Sequence, residues 1–292
     1  MNLASPHAAL ASARSFLFVP ANRPERYAKA LASGADAVII DLEDAVSPAD
    51  KASARAQLAE AFAQLPLADR TRLVVRMNAL GTLFHDLDLA LLSHLTAQGL
   101  AAVMVPKSES LAGLQLVASA IGPRGALLPL IESVAGLDAA DALAGAPQVL
   151  RLAFGNLDFQ ADLGLACGPD ESELAPVRLA VVLATRRASL APPVDGVTPG
   201  TQDLAQLQAD AARARRAGFG AKLCIHPAQV AGVNAEFTPT PIALDWAQRV
   251  LAAFEAAGGG VFSLDGRMVD APVVRLAQRT LAQGRTGAQT RQ

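Results

Sequence analysis

Only two cysteines, Cys167 and Cys224, occur in 292 residues, and they lie far apart without disulfide-like spacing. That excludes a disulfide-built scaffold and points to a reducing, cytoplasmic address. Aromatic residues make up 4% of the chain, so Ala, Leu and Val have to fill its core. The formal charge is -2 with both signs interspersed, which gives neither a basic footprint for nucleic acid nor a polybasic patch for a membrane surface. Residues 1–13 have no basic start and no sustained apolar run, so neither a signal peptide nor a membrane span is expected. Three of the four histidines, His7, His85 and His94, fall in the N-terminal segment or on a helix, and no Cys/His cluster supports zinc. An acidic small molecule would have to be met by local arginines.

What the chain does have is a repeating pattern. Eight apolar, strand-like runs each stop at a polar or charged residue about one βα unit apart: Pro20-Ala21-Asn22, Asp41-Leu42-Glu43-Asp44, Arg76-Met77-Asn78, Pro106-Lys107, Glu132-Ser133, Asn156-Leu157-Asp158, Asp195 and His226-Pro227. Near-continuous apolar runs such as Ala37–Asp41 are expected where both faces of a parallel strand are buried. With 52% hydrophobic residues, the pattern predicts a (β/α)8 TIM barrel over residues 14–235, a fold of ~250 residues that carries its site at the C-terminal strand ends. The run at Pro192-Pro193 lacks two backbone donors, so strand seven should be short. An amphipathic stretch at 242–257, a glycine triplet and a last helix to about Ala282 predict a C-terminal helical lid or arm over residues 240–284, followed by a frayed tail.

Glu132 and Asp158 each follow an apolar run and are one βα unit apart. Adjacent strands lie ~4.8 Å apart, so both carboxylates can reach one cation. Mg2+ commonly takes one or two carboxylates and leaves its other positions to water and substrate. The competing reading is that each acid caps the next helix or pairs with an arginine, and spacing leaves both open. Arg76, at the end of strand three, suits bidentate capture of a substrate carboxylate; equally, it can neutralise Asp41, Glu43 and Asp44, with Lys51 and Arg55 as further candidate cations. Lys107 at a desolvated barrel mouth would suit a Schiff base, but that chemistry has less use for the two spare acids. His226 could serve as acid, base or ligand, although a lone histidine is more often a hydrogen-bonded structural group. Arg23, Arg26 and Lys29 after strand one read either as contacts for CoA phosphates or as a solvated helix face.

Several segments together resemble the citrate lyase β-subunit-like proteins of the HpcH/HpaI aldolase superfamily. They are residues 14–20, 35–46 around Asp41-Leu42-Glu43-Asp44, 75–78, 105–107, 130–133, 154–164 and 220–230, in order and with the familiar spacing. The resemblance implies a TIM barrel and Mg2+ held by Glu132 and Asp158, with Arg76 and Glu132 meeting substrate and Asp41, Glu43, Asp44 and Lys107 supporting them. In the CoA-ester lyase branch, an Asp-Gly-x-Met-(Val/Ile)-Asp-x-Pro segment brings a catalytic aspartate over the metal, often from a neighbouring subunit. Here that segment is residues 265–272 and the matching residue is Asp270.

The reaction so implied is reversible cleavage of a malyl-CoA or citramalyl-CoA type thioester to acetyl-CoA and a 2-oxo acid, with partners limited to these small molecules and further copies of the chain in a trimer or hexamer. The alternatives are a citrate lyase β-type subunit acting on an acyl-carrier thioester, a metal-dependent aldolase releasing pyruvate, and a non-catalytic CoA-binding barrel. Two departures stand out. Leu157 occupies the place of the family's usual glutamate before the metal aspartate, and Ser189–Pro193 replaces a more usual glycine-bearing segment.

Overall fold

Strands form where β-branched and other apolar residues run without interruption, and in this chain both faces of nearly every such run are buried. A computed structural model describes residues 6–289, with side chains from 7 to 284. It divides into two compact units, residues 1–234 and 235–292.

The first unit is a closed barrel of eight parallel strands in sequential order: β1 Ser15–Pro20, β2 Ala37–Asp41, β3 Leu73–Arg76, β4 Ala102–Val105, β5 Ala126–Ile131, β6 Ala153–Phe154, β7 Val194–Asp195 and β8 Ala221–Cys224. β1 pairs with β8 to close the ring. The interior cluster is built largely from small and aliphatic side chains, including Ile39, Val74, Met104, Leu128, Ala153 and Leu223, with Phe16 as its one fully buried ring. Alternate residues point outward against the helices, so the fold is the expected TIM barrel with side chains filling its centre.

Two elements are shorter than their apolar runs. β7 keeps two residues, in line with the prolines before it. β6 also keeps only two residues of the apolar run that begins at Val149. Its neighbour β5 pairs first as Leu127 with Val149 and then as Leu130 with Ala153, so one extra residue sits on the β6 side and interrupts the ladder as a bulge. The helical segment after β1 begins as a 3-10 turn at Pro24–Arg26 and continues as α-helix over Tyr27–Leu31.

A helix at Pro6–Ser12, absent from the sequence reading, sits at the N-terminal end of the barrel. Its Leu10 is buried in the barrel cluster. The fully buried Arg151 ties it down, donating to the carbonyls of Leu10 (3.1 Å), Ala13 (2.8 Å) and Pro192 (2.8 Å). No helix among the described residues is long and apolar enough to cross a membrane.

In the second unit two helices, Pro241–Ala256 and Ala271–Gln289, flank a hairpin of β9 Phe262–Leu264 and β10 Arg267–Val269. Asp265 and Gly266 turn the hairpin with φ of 51° and 74°, the pair of positive values that a tight hairpin turn requires. Val250, Val269, Val274 and Ala277 form its core. The last helix runs through Gly284 to Gln289 instead of fraying. A Cβ at Gly284 would stand 2.5 Å from Leu244, so the glycine lets the two helices of this unit approach.

Candidate active site

The site grows from strand register. Asp41 and Arg76 are paired at the ends of β2 and β3, which sets a carboxylate beside a guanidinium in fork geometry. Arg76 Nε and Nη2 donate to Asp41 Oδ1 and Oδ2, both at 2.7 Å. Nη1 donates to Asp44 Oδ2 at 3.3 Å and lies 2.9 Å from Glu43 Oε2, without the angle of a hydrogen bond to that oxygen. The guanidinium also lies over the Phe18 ring, 4.9 Å from its centre. Of the two sequence readings of Arg76 the structure shows the pairing with the acid cluster: Asp41 takes its bidentate fork, and one Nη2 hydrogen is not used by these three acids. Burial works against its charge, but Asp41 and its neighbours outweigh that and hold it charged.

One arginine cannot satisfy three carboxylates. Asp41 takes the two best bonds and also accepts from the backbone N–H groups of Glu43 (2.9 Å) and Ala45 (3.0 Å). Glu43 is left as the surplus acid. Burial pushes its carboxyl up to about 8 despite Arg76, with Asp44, Glu132 and Asp41 adding repulsion. The raised values of Glu43 and Arg76 are consistent once Asp41 is recognised as the main partner of the arginine. Lys51 does not reach these carboxylates; its ammonium donates to the Leu42 and Glu43 carbonyls, both at 2.6 Å. Arg55 lies elsewhere, 3.1 Å from Asp88, which in turn accepts from the Asn78 backbone and side chain (2.8 and 2.7 Å) and fixes the end of β3.

Across the mouth, Glu132 and Asp158 converge on one cation. Lys107 Nζ donates to Asp158 Oδ1 at 3.0 Å and lies 3.9 Å from Glu132 Oε1, while the Lys107 backbone N–H donates to that same Glu132 oxygen at 2.8 Å. Lys107 holds a left-handed φ of 42°, a conformation uncommon for a non-glycine residue and typical of constrained sites. Burial pushes Glu132 up to about 7, against the opposing influence of the Lys107 N–H and charge. Burial lowers the Lys107 ammonium, but Glu132 and Asp158 more than compensate and raise it, which disfavours the neutral amine that Schiff-base chemistry needs. Helix capping does not explain Glu132: the following helix is capped by Ser133, whose hydroxyl accepts from Gly136 N at 3.1 Å. Asp158 sits in the first turn of the helix Asn156–Leu163 and makes no capping bond at its Gly155 start.

The contact between these elements is tight. A Cβ on Gly155 would lie 2.6 Å from Glu132 Cβ and 2.7 Å from its Oε2, so only glycine permits the β6 end to rest on Glu132. Among the described residues no group of three or more His, Cys, Asp or Glu is gathered as a metal cage. The donor set nevertheless fits a hard cation held by two carboxylates, because an ammonium already lies between those same two oxygens.

The other strand ends have partners of their own. Asp195 is fully buried and accepts from Arg178 Nε at 2.9 Å. His226 is exposed and accepts from Ala228 N through Nδ1 at 3.2 Å, at the start of the helix Pro227–Glu236. Arg23 is turned to Glu25 at 2.6 Å, Arg26 lies 3.8 Å from the same oxygen, and Lys29 is exposed nearby. Asp270 belongs to the second unit, where its Oδ1 accepts from Val273 N at 3.2 Å and its carbonyl from Val274 N at 3.0 Å, capping the last helix. Sequence reasoning passed over Asn156 and Glu171, whose side chains bond at 2.8 Å behind Asp158. Asn156 belonged to a strand-end stop, but Glu171 lies in a loop without periodic pattern.

A closed parallel barrel with its charges gathered at the C-terminal strand ends defines a TIM barrel with its site at the mouth. The chain belongs to the HpcH/HpaI aldolase/citrate lyase family, which it matches over residues 14–227. It is 37% identical over 278 residues to a citrate lyase subunit beta-like protein of Deinococcus radiodurans, covering 92% of this chain and 96% of that one. It is 34% identical over 272 residues to a (3S)-malyl-CoA thioesterase of Cereibacter sphaeroides, covering 92% and 93%. Among solved structures, protein CitE of Mycobacterium tuberculosis in complex with magnesium, acetoacetate and coenzyme A superposes with a TM-score of 0.80 at 35% identity, over 94% of this chain and 99% of that one.

Proposed function

We propose that this chain is a Mg2+-dependent carbon–carbon lyase that cleaves a malyl-CoA or citramalyl-CoA type thioester to acetyl-CoA and a 2-oxo acid, and runs the reverse condensation. The observation that carries this reading is the convergence of Glu132 and Asp158 on a single cation beside Arg76. The relative named as a (3S)-malyl-CoA thioesterase supports the substrate class, and the neighbour holding magnesium, acetoacetate and coenzyme A supports the metal and the thioester carrier. Glu132 and Asp158 would hold the ion, which supplies Lewis-acid polarisation and a template for the oxo acid.

The remaining roles belong to the chain. Arg76, locked in plane by Asp41, directs its unused Nη2–H at the substrate oxygen that gains charge, a fixed donor that needs no reorganisation. Glu43 and Asp44 balance that arginine, and Lys107 balances Glu132 and Asp158. In cleavage the hydroxyl proton passes to solvent water as the C–C bond breaks and the oxo group forms, and protonated Asp270 delivers its proton to the methylene carbon of the enolate; in condensation the Asp270 carboxylate removes that proton from the methyl group and water reprotonates the new alkoxide. Arg23, Arg26 and Lys29 would meet the CoA phosphates. In a homotrimer or hexamer Asp270 would act from a second copy, and the two free cysteines suit a reducing cytoplasm.

The test is to incubate the purified chain and Mg2+ with malyl-, methylmalyl- and citramalyl-CoA, and to measure acetyl-CoA, propionyl-CoA and free 2-oxo acid. Cleavage by the parent is expected, with Asp270→Asn losing turnover while retaining oxo-acid binding. Release of free CoA and the intact hydroxy acid would instead identify a thioesterase. Failure to cleave any of the three while Mg2+ binds would overturn the lyase reading.

A further inference from the structure

Asp158 is 44% exposed in its side chain, and Leu157 beside it offers no polar group. What fixes Asp158 in place is found on the other side of the same helical turn. Asn156, 1% exposed, is gripped at both ends of its amide. Its Oδ1 accepts from Val197 N at 2.9 Å, and its Nδ2 donates to Val197 O at 3.1 Å and to Glu171 Oε1 at 2.8 Å. The fit allows no slack, since a Cβ on Gly196 would lie 2.1 Å from Asn156 Oδ1.

Glu171 is the centre of this arrangement. Its Oε1 also accepts from Gln160 Nε2 at 3.3 Å, one turn along the same helix, and its Oε2 accepts from Arg178 and, at 3.0 Å, from Arg213. Its backbone is left-handed, with φ 45° and ψ 39°. Such a conformation in a glutamate persists only where the surroundings over-determine it. They do so here: Gln206 and Arg213, from the helix Leu204–Ala217, donate to the carbonyls of Pro169 and Asp170, both at 2.8 Å. Two arginines and a stapled loop thus present one carboxylate to the inner side of the turn that bears Asp158.

We infer that Glu171 is a positioning residue for the cation site: acting through Asn156 and Gln160, it sets where Asp158 stands relative to Glu132. This rests on the proposal that Glu132 and Asp158 hold a divalent cation. It also accounts for a turn that lacks the family's usual acid at position 157, because the restraint comes from inside the barrel–helix layer and not from a neighbour at the mouth. Groups that orient metal ligands in this way typically alter affinity by about 10–100-fold when removed.

The experiment is a Mn2+ titration of the full chain followed by electron paramagnetic resonance, with melting temperature and far-UV circular dichroism recorded alongside. Glu171→Gln turns an amide N–H toward the two arginines and is expected to weaken Mn2+ binding about 10-fold. Asn156→Ala, which leaves the arginine pairs of Glu171 intact, guards against a folding defect in the first variant and should weaken binding comparably. The double variant should lose little more than either single one, since both act through one contact. Asp36→Asn breaks the Arg14–Asp36 pair of 2.8 Å at the opposite end of the barrel; it should lower the melting temperature and leave Mn2+ affinity unchanged. Parent-like affinity in Asn156→Ala or in folded Glu171→Gln, or an equal loss in Asp36→Asn, overturns the inference alone. A parent chain that binds no Mn2+ overturns the cation site and this inference with it.

Discussion

Replacing Glu132 by glutamine should stabilise the metal-free protein at alkaline pH. Glu132 is 3% exposed, and burial pushes its carboxyl from 4.5 up to about 7. Below pH 4.5 the group is protonated in both folded and unfolded chains, so it does not penalise folding. As pH rises from 4.5 to about 7 the unfolded chain ionises while the folded one keeps its proton, and stability is progressively lost. Above 7 the loss is complete, and a displacement of that size corresponds to about 3 kcal/mol at 1.36 kcal/mol for each pH unit. Glutamine has the same shape and its oxygen can still accept the Lys107 N–H, so Glu132→Gln should recover most of this, about 6 °C in Tm for a chain of this size.

The assay is thermal melting of parent and variant in EDTA between pH 4.5 and 8, read as the difference between them. The gap should open with rising pH and level off above 7. Mg2+ should then close the gap and reverse it near saturation, since a cation bound only to the folded parent adds about 2.7 kcal/mol at a hundredfold and about 4.1 kcal/mol at a thousandfold excess over its Kd. A variant that melts at or below the parent at pH 8 in EDTA, or a gap of equal size at pH 4.5, would refute the reasoning.

Two further substitutions test the frame around the site. Arg76→Met leaves Asp41 and its neighbours without their common cation, and removing one partner from a buried ion cluster costs about 3–5 kcal/mol; urea unfolding at pH 7 should show this loss, and a parent-like midpoint would refute it. Ser189 follows the helix Ala175–Arg187 with a φ of 57°, while the N–H groups of Ser189 and Leu190 close on the Arg186 and Thr185 carbonyls. Glycine is the usual residue there, so Ser189→Gly should raise stability by about 1 kcal/mol, and an unchanged melt would show that the left-handed serine is unstrained.

The barrel was legible because its code is local. Each strand's apolar run and each helix's polar punctuation can be read within ten residues, and the eight polar stops fall at the ends of the eight barrel strands. β6 is shorter than its apolar run because the bulge between Val149 and Ala153 depends on the register of another strand, which no single run encodes. The helix Pro6–Ser12 went unread because, in so short a segment, burial of Leu10 and the grip of Arg151, 141 residues away, decide its place. Arg55 was assigned to the wrong acids for a similar reason: spacing showed charge in the neighbourhood but not that Asp88 would claim it.

The site divides along the same line. Glu132, Asp158, Arg76 and Lys107 were visible because each ends or follows a strand, and a parallel barrel brings all such ends to one mouth. Whether Arg76 met neighbouring acids was not visible in the spacing, and the structure shows that it does: its Nε/Nη2 fork is engaged by Asp41. Glu171 could not be read at all, because its partners lie 7, 11, 15 and 42 residues away on three different helices. Chemistry-bearing residues in such a barrel are thus announced by topology, while the residues that hold them still are scattered through the helix layer. In this chain Leu157 brings no polar group to the mouth, and Glu171 stands in the layer behind Asp158, bonded to Asn156 and Gln160.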